Sequence, residues 1–305
     1  MTDAKADNVV AAILLSLFAI LLFDFMGLVI KRISADFTAA ELSAWRNVIG
    51  LIPSMIALYL SSAWIKAGKP WRVRQTKLAL FRGVILTIAQ LAFYIGLARM
   101  AFATVNTISY ANALFMVALA VPLLGERVGI ARWSAVLVGF VGVVLVMRPG
   151  AGTFSTDAIF PLIAAFCYAL AGVTARLFDE DVPTPLINLY SSATAALGAV
   201  VVAFFFGGFT APDLTQFLWI CAMGFFGGCA VLCLMVAYRM TEQSNLAPFN
   251  YFGIPMAFVL GWFFFDEAPW DELFPGALLI IASGLIIVWR ERMLKTRAAA
   301  ATIQK

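Results

Sequence analysis

The sequence predicts an all-α polytopic membrane protein, with ten transmembrane helices arranged as two inverted five-helix repeats. Three observations carry that reading. Of 305 residues, 63% are hydrophobic and only 12% charged, where a soluble domain has about a quarter of its residues charged; the mean hydropathy is +0.95. Apolar tracts of spanning length recur along the whole chain, each near the ~20 residues that cross a hydrocarbon core about 30 Å thick. The lysines and arginines, finally, gather in alternate loops.

The tracts run 8–30, 39–62, 77–98, 102–124, 131–147, 157–177, 186–206, 214–236, 243–264 and 272–289. The first is too long for the apolar region of a signal peptide, carries Asp24 and precedes nine further tracts, so it reads as span 1. Lys31-Arg32 ends it, and the basic stretch Lys66 to Lys77 separates spans 2 and 3. Gly125-Glu126-Arg127 follows span 4, Arg148-Pro149-Gly150 span 5, Asp179 to Pro185 span 6 and Gly207-Gly208 span 7. Asp266 to Asp271, with Pro269, divides spans 9 and 10; glycine, proline and clustered charge are the residues that break such runs. The loops left over are too short to fold alone. That excludes a soluble catalytic domain, a periplasmic binding domain or an ATPase module, and no G-x-x-x-x-G-K-[ST] loop is present.

Positive loops stay in the cytoplasm. With the N-terminus inside, the inner segments hold 15 lysines and arginines and the outer segments 4, namely Lys31, Arg32, Arg99 and Arg148. Both termini are therefore expected in the cytoplasm, the C-terminal 291–305 being a basic tail. The net charge of +4 is a topology signal and not a nucleic-acid footprint. Trp64, Trp71, Trp133, Trp219, Trp270 and Trp289 lie near span ends, where tryptophan anchors at the interface.

The halves 1–150 and 151–290 resemble each other. Leu97-Ala98-Arg99-Met100, Leu123-Leu124-Gly125-Glu126 and a Gly139-x-x-Gly142 helix recur about 140 residues later as Ala237-Tyr238-Arg239-Met240, Phe264-Phe265-Asp266-Glu267 and a helix carrying Gly276 and Gly284. A five-span unit is odd, so its copies insert in opposite orientations, a recurrent plan of secondary transporters with a site near the midplane. These motifs, with Arg46 and Arg82-Gly83, resemble the EamA family of the drug/metabolite transporter superfamily. The resemblance covers essentially the whole chain. It implies a central cavity lined by the first four spans of each half, alternating access, and a small-molecule substrate carried across a bacterial inner membrane by a monomer or homodimer. Export of an amino-acid-like or amphipathic solute is the first expectation, with uptake of a vitamin or nucleoside-like compound, of the riboflavin or S-adenosylmethionine type, as the alternative.

Other chemistries find little support. Cys167, Cys221, Cys229 and Cys233 fall inside apolar tracts and read as small buried hydrophobes, and histidine is absent, so neither a metal site nor a cofactor is expected. An intramembrane enzyme would need a catalytic histidine, a metal motif or a serine with its base within the spans. A passive channel would be distinguished by its conductance.

Ionisable groups within a membrane are expensive, so each needs a reason. Asp24 lies six residues before the outer end of span 1 and Arg46 seven after the outer start of span 2. At 1.5 Å per residue both sit about 9–10 Å deep, within reach of an ion pair. One reading makes Asp24 a proton or substrate-ammonium site tuned by Arg46, with proton or counter-substrate coupling; the other is a static pair or snorkelling. Arg82, near the basic inner loop, is expected to snorkel to lipid phosphate. Uncharged polar groups suit a site that must release its cargo: Gln90 and Tyr94 in span 3, Asn106, Tyr110 and Asn112 in span 4, Asn188 and Tyr190 in span 7, and Asn250 and Tyr251 in span 9. Trp45 and Tyr168 are expected cavity walls. Each could equally hydrogen-bond a neighbouring helix. The glycine ridges of spans 5 and 10 fit either internal packing or a dimer seam.

Overall fold

The structure, a computed structural model, describes residues 2–125, 129–147, 156–179, 181–240, 246, 249 and 251–303. The helices are α1 (Thr2–Ile33), α2 (Ala39–Tyr59), α3 (Ser62–Lys66), α4 (Thr76–Arg99), α5 (Phe102–Ser109), α6 (Asn112–Leu124), α7 (Ile130–Met147), α8 (Ile159–Thr174), α9 (Thr184–Phe205), α10 (Leu214–Met240), α11 (Gly253–Phe265), α12 (Trp270–Leu273) and α13 (Gly276–Ile303). Six stretches of the described residues are long and apolar enough to cross a membrane: Val9–Ile33, Thr76–Arg99, Phe102–Leu124, Thr156–Leu177, Thr184–Phe205 and Leu214–Leu234. The chain is thus a polytopic, all-helical membrane protein. Expected spans 5, 9 and 10 correspond to the shorter apolar helices Trp133–Met147, Gly253–Phe265 and Gly276–Ile287. Expected span 2 is α2, whose apolar content is diluted by Glu41, Ser43, Arg46 and Asn47.

Local chemistry sets the helix ends. Thr38 caps α2 through its hydroxyl, which accepts from Glu41 N–H, while Glu41 Oε2 accepts from Thr38 N–H, a reciprocal capping box. Glu41 Oε1 also accepts from Thr210 N–H at 2.6 Å, tying the α9–α10 loop to the start of α2. This carboxylate is only 1% exposed. Glu41→Ala strands two backbone donors and is expected to lower stability by about 2 kcal/mol, read as a lower Tm of the detergent-purified protein. Helices α6 and α11 both end on a left-handed residue, Gly125 (φ 67°) and Asp266 (φ 55°). The expected basic tail is helical: α13 runs on to Ile303, because no proline or glycine follows Gly284 and the alanine, arginine and lysine of the tail favour helix.

The fourth expected span is not one helix. It divides at Tyr110-Ala111 into α5 and α6, with tight bonds from Ala111 N–H to Ile108 O and from Ala113 N–H to Tyr110 O. In the second half a turn at Tyr251-Phe252 precedes α11, and Pro255 falls in the first turn of that helix, where a missing donor does little harm. The rings of Tyr110 and Tyr251 lie 6.1 Å apart, so the two breaks meet.

Packing pairs α1 with α10, α4 with α8, α2 with α9 and α7 with α13; α4 also meets α9, α2 meets α10, α6 meets α8, α1 meets α11, and α5 meets α11. The expected glycine ridges are an internal seam between α7 and α13. Gly142 and Gly276 touch backbone to backbone, and Gly139 lies against Ser283 and Leu114.

Candidate functional site

A cavity of about 500 Å³ opens among α1, α2, α4, α5, α6, α8, α9 and α10. Such a volume suits a small organic molecule. Its lining collects most of the polar side chains that the sequence singles out: Asp24, Arg46, Gln90, Tyr94, Asn106, Tyr110, Asn112, Tyr168 and Asn188. Three glycines of α10 at i, i+3 and i+4 let α1 and α2 approach: Gly224 faces Ile49, Gly227 faces Met26 and Arg46, and Gly228 faces Pro53. Gly227 and Gly228 become part of the cavity wall.

Polar contacts hold one side of the cavity in place. Arg46 Nη1 donates to Asn47 Oδ1 at 3.1 Å, Asn47 Nδ2 donates to Gln90 Oε1, and Ser43 Oγ donates to the same oxygen at 3.4 Å. The chain Arg46–Asn47–Gln90 therefore ties the guanidinium of α2 to α4. Asp24 and Arg46 line the same cavity without forming the expected ion pair, since no Asp24–Arg46 contact falls within 4.0 Å. Arg46 turns to Asn47 instead. Asp24 is 5% exposed and its Oδ2 has no hydrogen-bond partner among the described residues. Tyr94, also a lining residue, is buried, and its hydroxyl has no hydrogen-bond partner among the described residues.

Arg82 overturns the snorkelling expectation. Its Nε donates to Ala171 O at 2.9 Å and its Nη1 to Ser191 Oγ at 3.1 Å, so the side chain turns inward between α8 and α9 and reaches the cavity. The neighbouring Gly83 explains why it can: a side chain there would collide with Thr194 and Ser191 O of α9. The Arg-Gly pair is readable in sequence, but the direction of the arginine depends on what stands opposite. Ser54 and Ser192 are further lining groups that sequence reasoning missed.

Four expected site residues are not among the lining groups. Trp45 packs edge-on against Phe209, ring centroids 6.2 Å apart. Tyr190 donates its hydroxyl to Trp71 O at 2.7 Å on the other side of α9. Tyr251 is buried under Tyr110 and over Gly284. Asn250, with Gln243, Pro248 and the motif residue Glu126, lies outside the described residues.

One end of the cavity is tightly packed. Ile30, Leu42, Tyr94, Leu97 and Phe102 are all buried there. Above them Lys31 Nζ lies 2.7 Å from Glu267 Oε1 and donates to Met100 O at 2.7 Å, while Phe102 N–H donates to Glu267 Oε2 at 2.9 Å. The Lys31 ammonium also sits 5.2 Å from the Phe265 ring centroid. Glu267 thus joins the end of α1, the α4–α5 turn and the end of α11.

Comparison with known proteins places this arrangement. The sequence matches the EamA-like transporter family over residues 10–148 and again over 156–289. It is similar to an S-adenosylmethionine uptake transporter of Rickettsia bellii (strain RML369-C), with 25% identity over 84% of this chain and 85% of the relative. A riboflavin transporter of Rhizobium johnstonii is 27% identical over 87% of this chain and 85% of the relative. The pseudopaline exporter CntI of Pseudomonas aeruginosa (strain UCBPP-PA14) is 24% identical over 91% and 95%. A solved structure titled "Crystal structure of protein" shares the fold, with TM-score 0.63 and 20% identity over 93% of this chain and 98% of that one.

Proposed function

The chain belongs to the EamA-like transporter family, a multi-pass small-molecule transporter of a bacterial inner membrane, and on that premise we propose that it carries an amphipathic, amino-acid-type solute by alternating access. The observation that carries the reading is a single cavity holding a buried carboxylate with an unpartnered oxygen, Asp24, together with two guanidinium groups, Arg46 and Arg82. A solute bearing both an ammonium and a carboxylate meets complementary charge at each, while the asparagine and tyrosine groups bind by hydrogen bonds weak enough to let it go. Asp24 is the group through which proton or counter-substrate coupling would act. Arg46, Gln90, Tyr94, Asn106, Tyr110, Asn112, Tyr168 and Asn188 are the proposed solute contacts.

The proposed architecture is ten spans in two inverted repeats, 1–150 and 151–290, with both termini cytoplasmic. Its support lies in the packing. If α1, α2, α4, α5–α6 and α7 are exchanged with α8, α9, α10, α11 and α13, the contact of α1 with α10 becomes that of α8 with α4, and α2 with α10 becomes α9 with α4. The contacts of α6 with α8 and α11 with α1 exchange likewise. Contacts that swap in pairs are what a two-fold relation between repeats produces.

In this reading the packed Lys31 end is the closed periplasmic side, and Glu267 is its latch. Glu267→Gln keeps the shape and removes the ion pair. A single cysteine introduced by Ser109→Cys, in a background with the four native cysteines replaced by alanine, is then expected to react severalfold faster with an impermeant maleimide added outside the cell. An unchanged rate would show that the latch does not limit opening.

Counterflow in proteoliposomes tests the substrate. Labelled amino acids, S-adenosylmethionine and riboflavin are exchanged against unlabelled solute, and saturable exchange of an amino-acid-type solute is expected. The similarity to S-adenosylmethionine and riboflavin transporters favours a second reading, uptake of a nucleoside-like or vitamin solute. Exchange of riboflavin alone would select that reading, and exchange of none would end both. Export is the proposed direction, tested by deleting the gene: the solute should accumulate inside cells.

A further inference from the structure

Outside the cavity, two features of the fold meet at one place. The segment between α2 and α4 carries Lys66, Lys69, Arg72, Arg74 and Lys77, all exposed, and none has a carboxylate within 4.0 Å among the described residues. The segment is built, not slack. Trp64 is buried, its Nε1 donates to Pro70 O at 2.7 Å, and its ring meets Trp71 edge-on at 5.5 Å. Gly68 (φ 79°) and Lys69 (φ 55°) turn the chain back so that Lys69 N–H reaches Trp64 O. The nearby Asp179 is engaged by Gln75, not by a cation, accepting from Nε2 at 3.3 Å.

Beside this segment runs an apolar groove of about 310 Å³ between α4 and α9, lined by Leu80, Leu189, Tyr190, Ala193, Thr194 and Leu197. The two features are joined directly, because the Tyr190 hydroxyl donates to Trp71 O. Lys77 lies one turn before Leu80 on α4, hence on the same side of that helix. The groove is separate from the solute cavity. On a helix that advances about 100° per residue, the cavity residues Asn188 and Ser192 share one face of α9, and Tyr190, Ala193, Thr194 and Leu197 lie on the opposite one.

We propose that segment and groove together form a binding site for an anionic phospholipid, its phosphate held by Arg72, Arg74 and Lys77 and one acyl chain lying along Leu80, Ala193 and Leu197. Uncompensated cations at a membrane surface attract anionic headgroups, each contributing roughly fivefold in affinity. A zwitterionic lipid offsets its phosphate with its own ammonium and gains little of this. The groove supplies what a soluble phosphate lacks, a place for hydrocarbon.

The test is lipid binding to the full-length protein in detergent, followed by native mass spectrometry. Dioleoyl-phosphatidylglycerol is expected to bind at least tenfold more tightly than dioleoyl-phosphatidylcholine, and glycerol 3-phosphate should not compete with it. The double variant Arg72→Gln/Lys77→Gln should lose about 30-fold for phosphatidylglycerol and leave phosphatidylcholine unchanged. Ala193→Trp, which fills the groove and keeps every charge, should weaken both lipids. Equal binding of the two lipids by the wild type, competition by glycerol 3-phosphate, or wild-type phosphatidylglycerol binding by both variants would overturn the site. Because all three substituted positions are exposed, monodisperse elution of each variant separates lost binding from lost fold.

Discussion

Gly142→Leu is expected to abolish folding, leaving no monodisperse peak on size exclusion and a destabilisation above about 3 kcal/mol, beyond the usual range for an overpacked core. The reason is that backbone stands opposite. A Cβ at position 142 would lie 2.7 Å from Gly276 O, 2.9 Å from Leu279 Cβ and 3.0 Å from Ile280 N, and a Cβ at Gly276 would lie 2.7 Å from Val146 Cγ2. No side-chain rotation relieves a contact with a carbonyl oxygen on a neighbouring helix, so α7 and α13 must separate. Separation forfeits the dispersion contacts along the seam, and within lipid there is little hydrophobic drive to restore them. Gly129→Ala is the control: nothing among the described residues lies within 4 Å of a Cβ there, and stability should be nearly unchanged. If Gly142→Leu melts like the wild type, the seam is not where the helices meet.

That seam shows how far the sequence could be read. The glycine spacing at 139 and 142, and at 276 and 284, announces close helix approach, but whether the partner is the other ridge or a second molecule depends on which faces meet in three dimensions. The six long apolar stretches were legible because apolar length is a one-dimensional quantity; the break at Tyr110-Ala111 was not, because Phe102–Leu124 stays apolar on average despite its polar groups. The same limit separates the site residues. Asp24, Gln90, Asn106 and Asn188 reach the cavity as expected of polar groups in apolar spans, whereas Tyr190, another such group, points the other way, since the two residues from Asn188 turn a helix through about 200°. Arg82 misled for a related reason. Its depth near a basic loop suggests snorkelling, but Gly83 brings α9 close enough for Ser191 to offer an acceptor, and Ala171 O of α8 offers a second, in place of the lipid headgroups that would otherwise supply them.

Asp24→Asn is expected to change transport and stability in opposite directions. A carboxylate 5% exposed, with one oxygen unpartnered, is unfavourable in a folded protein wherever it is ionised. An amide of the same shape removes that burden. The Tm of the detergent-purified Asp24→Asn protein should therefore rise, as it does when an uncompensated buried charge is replaced. Solute exchange should fall by on the order of 100-fold, the loss that follows removal of one partner from a desolvated charge contact. What remains should no longer vary with pH through this group. A structural carboxylate would behave otherwise: its replacement would lower Tm, and transport would fall only as far as the folded fraction. A group retained against stability is the signature of a site under functional demand. Asn47→Leu supplies the contrast. Asn47 accepts from Arg46 and donates to Gln90, so its loss takes an acceptor from the half-buried Arg46 and leaves Gln90 Oε1 with Ser43 as its remaining donor, and both Tm and exchange should fall together. Measuring the two variants side by side, by melting temperature and by counterflow, separates a charge that binds cargo from a hydrogen bond that holds the wall around it.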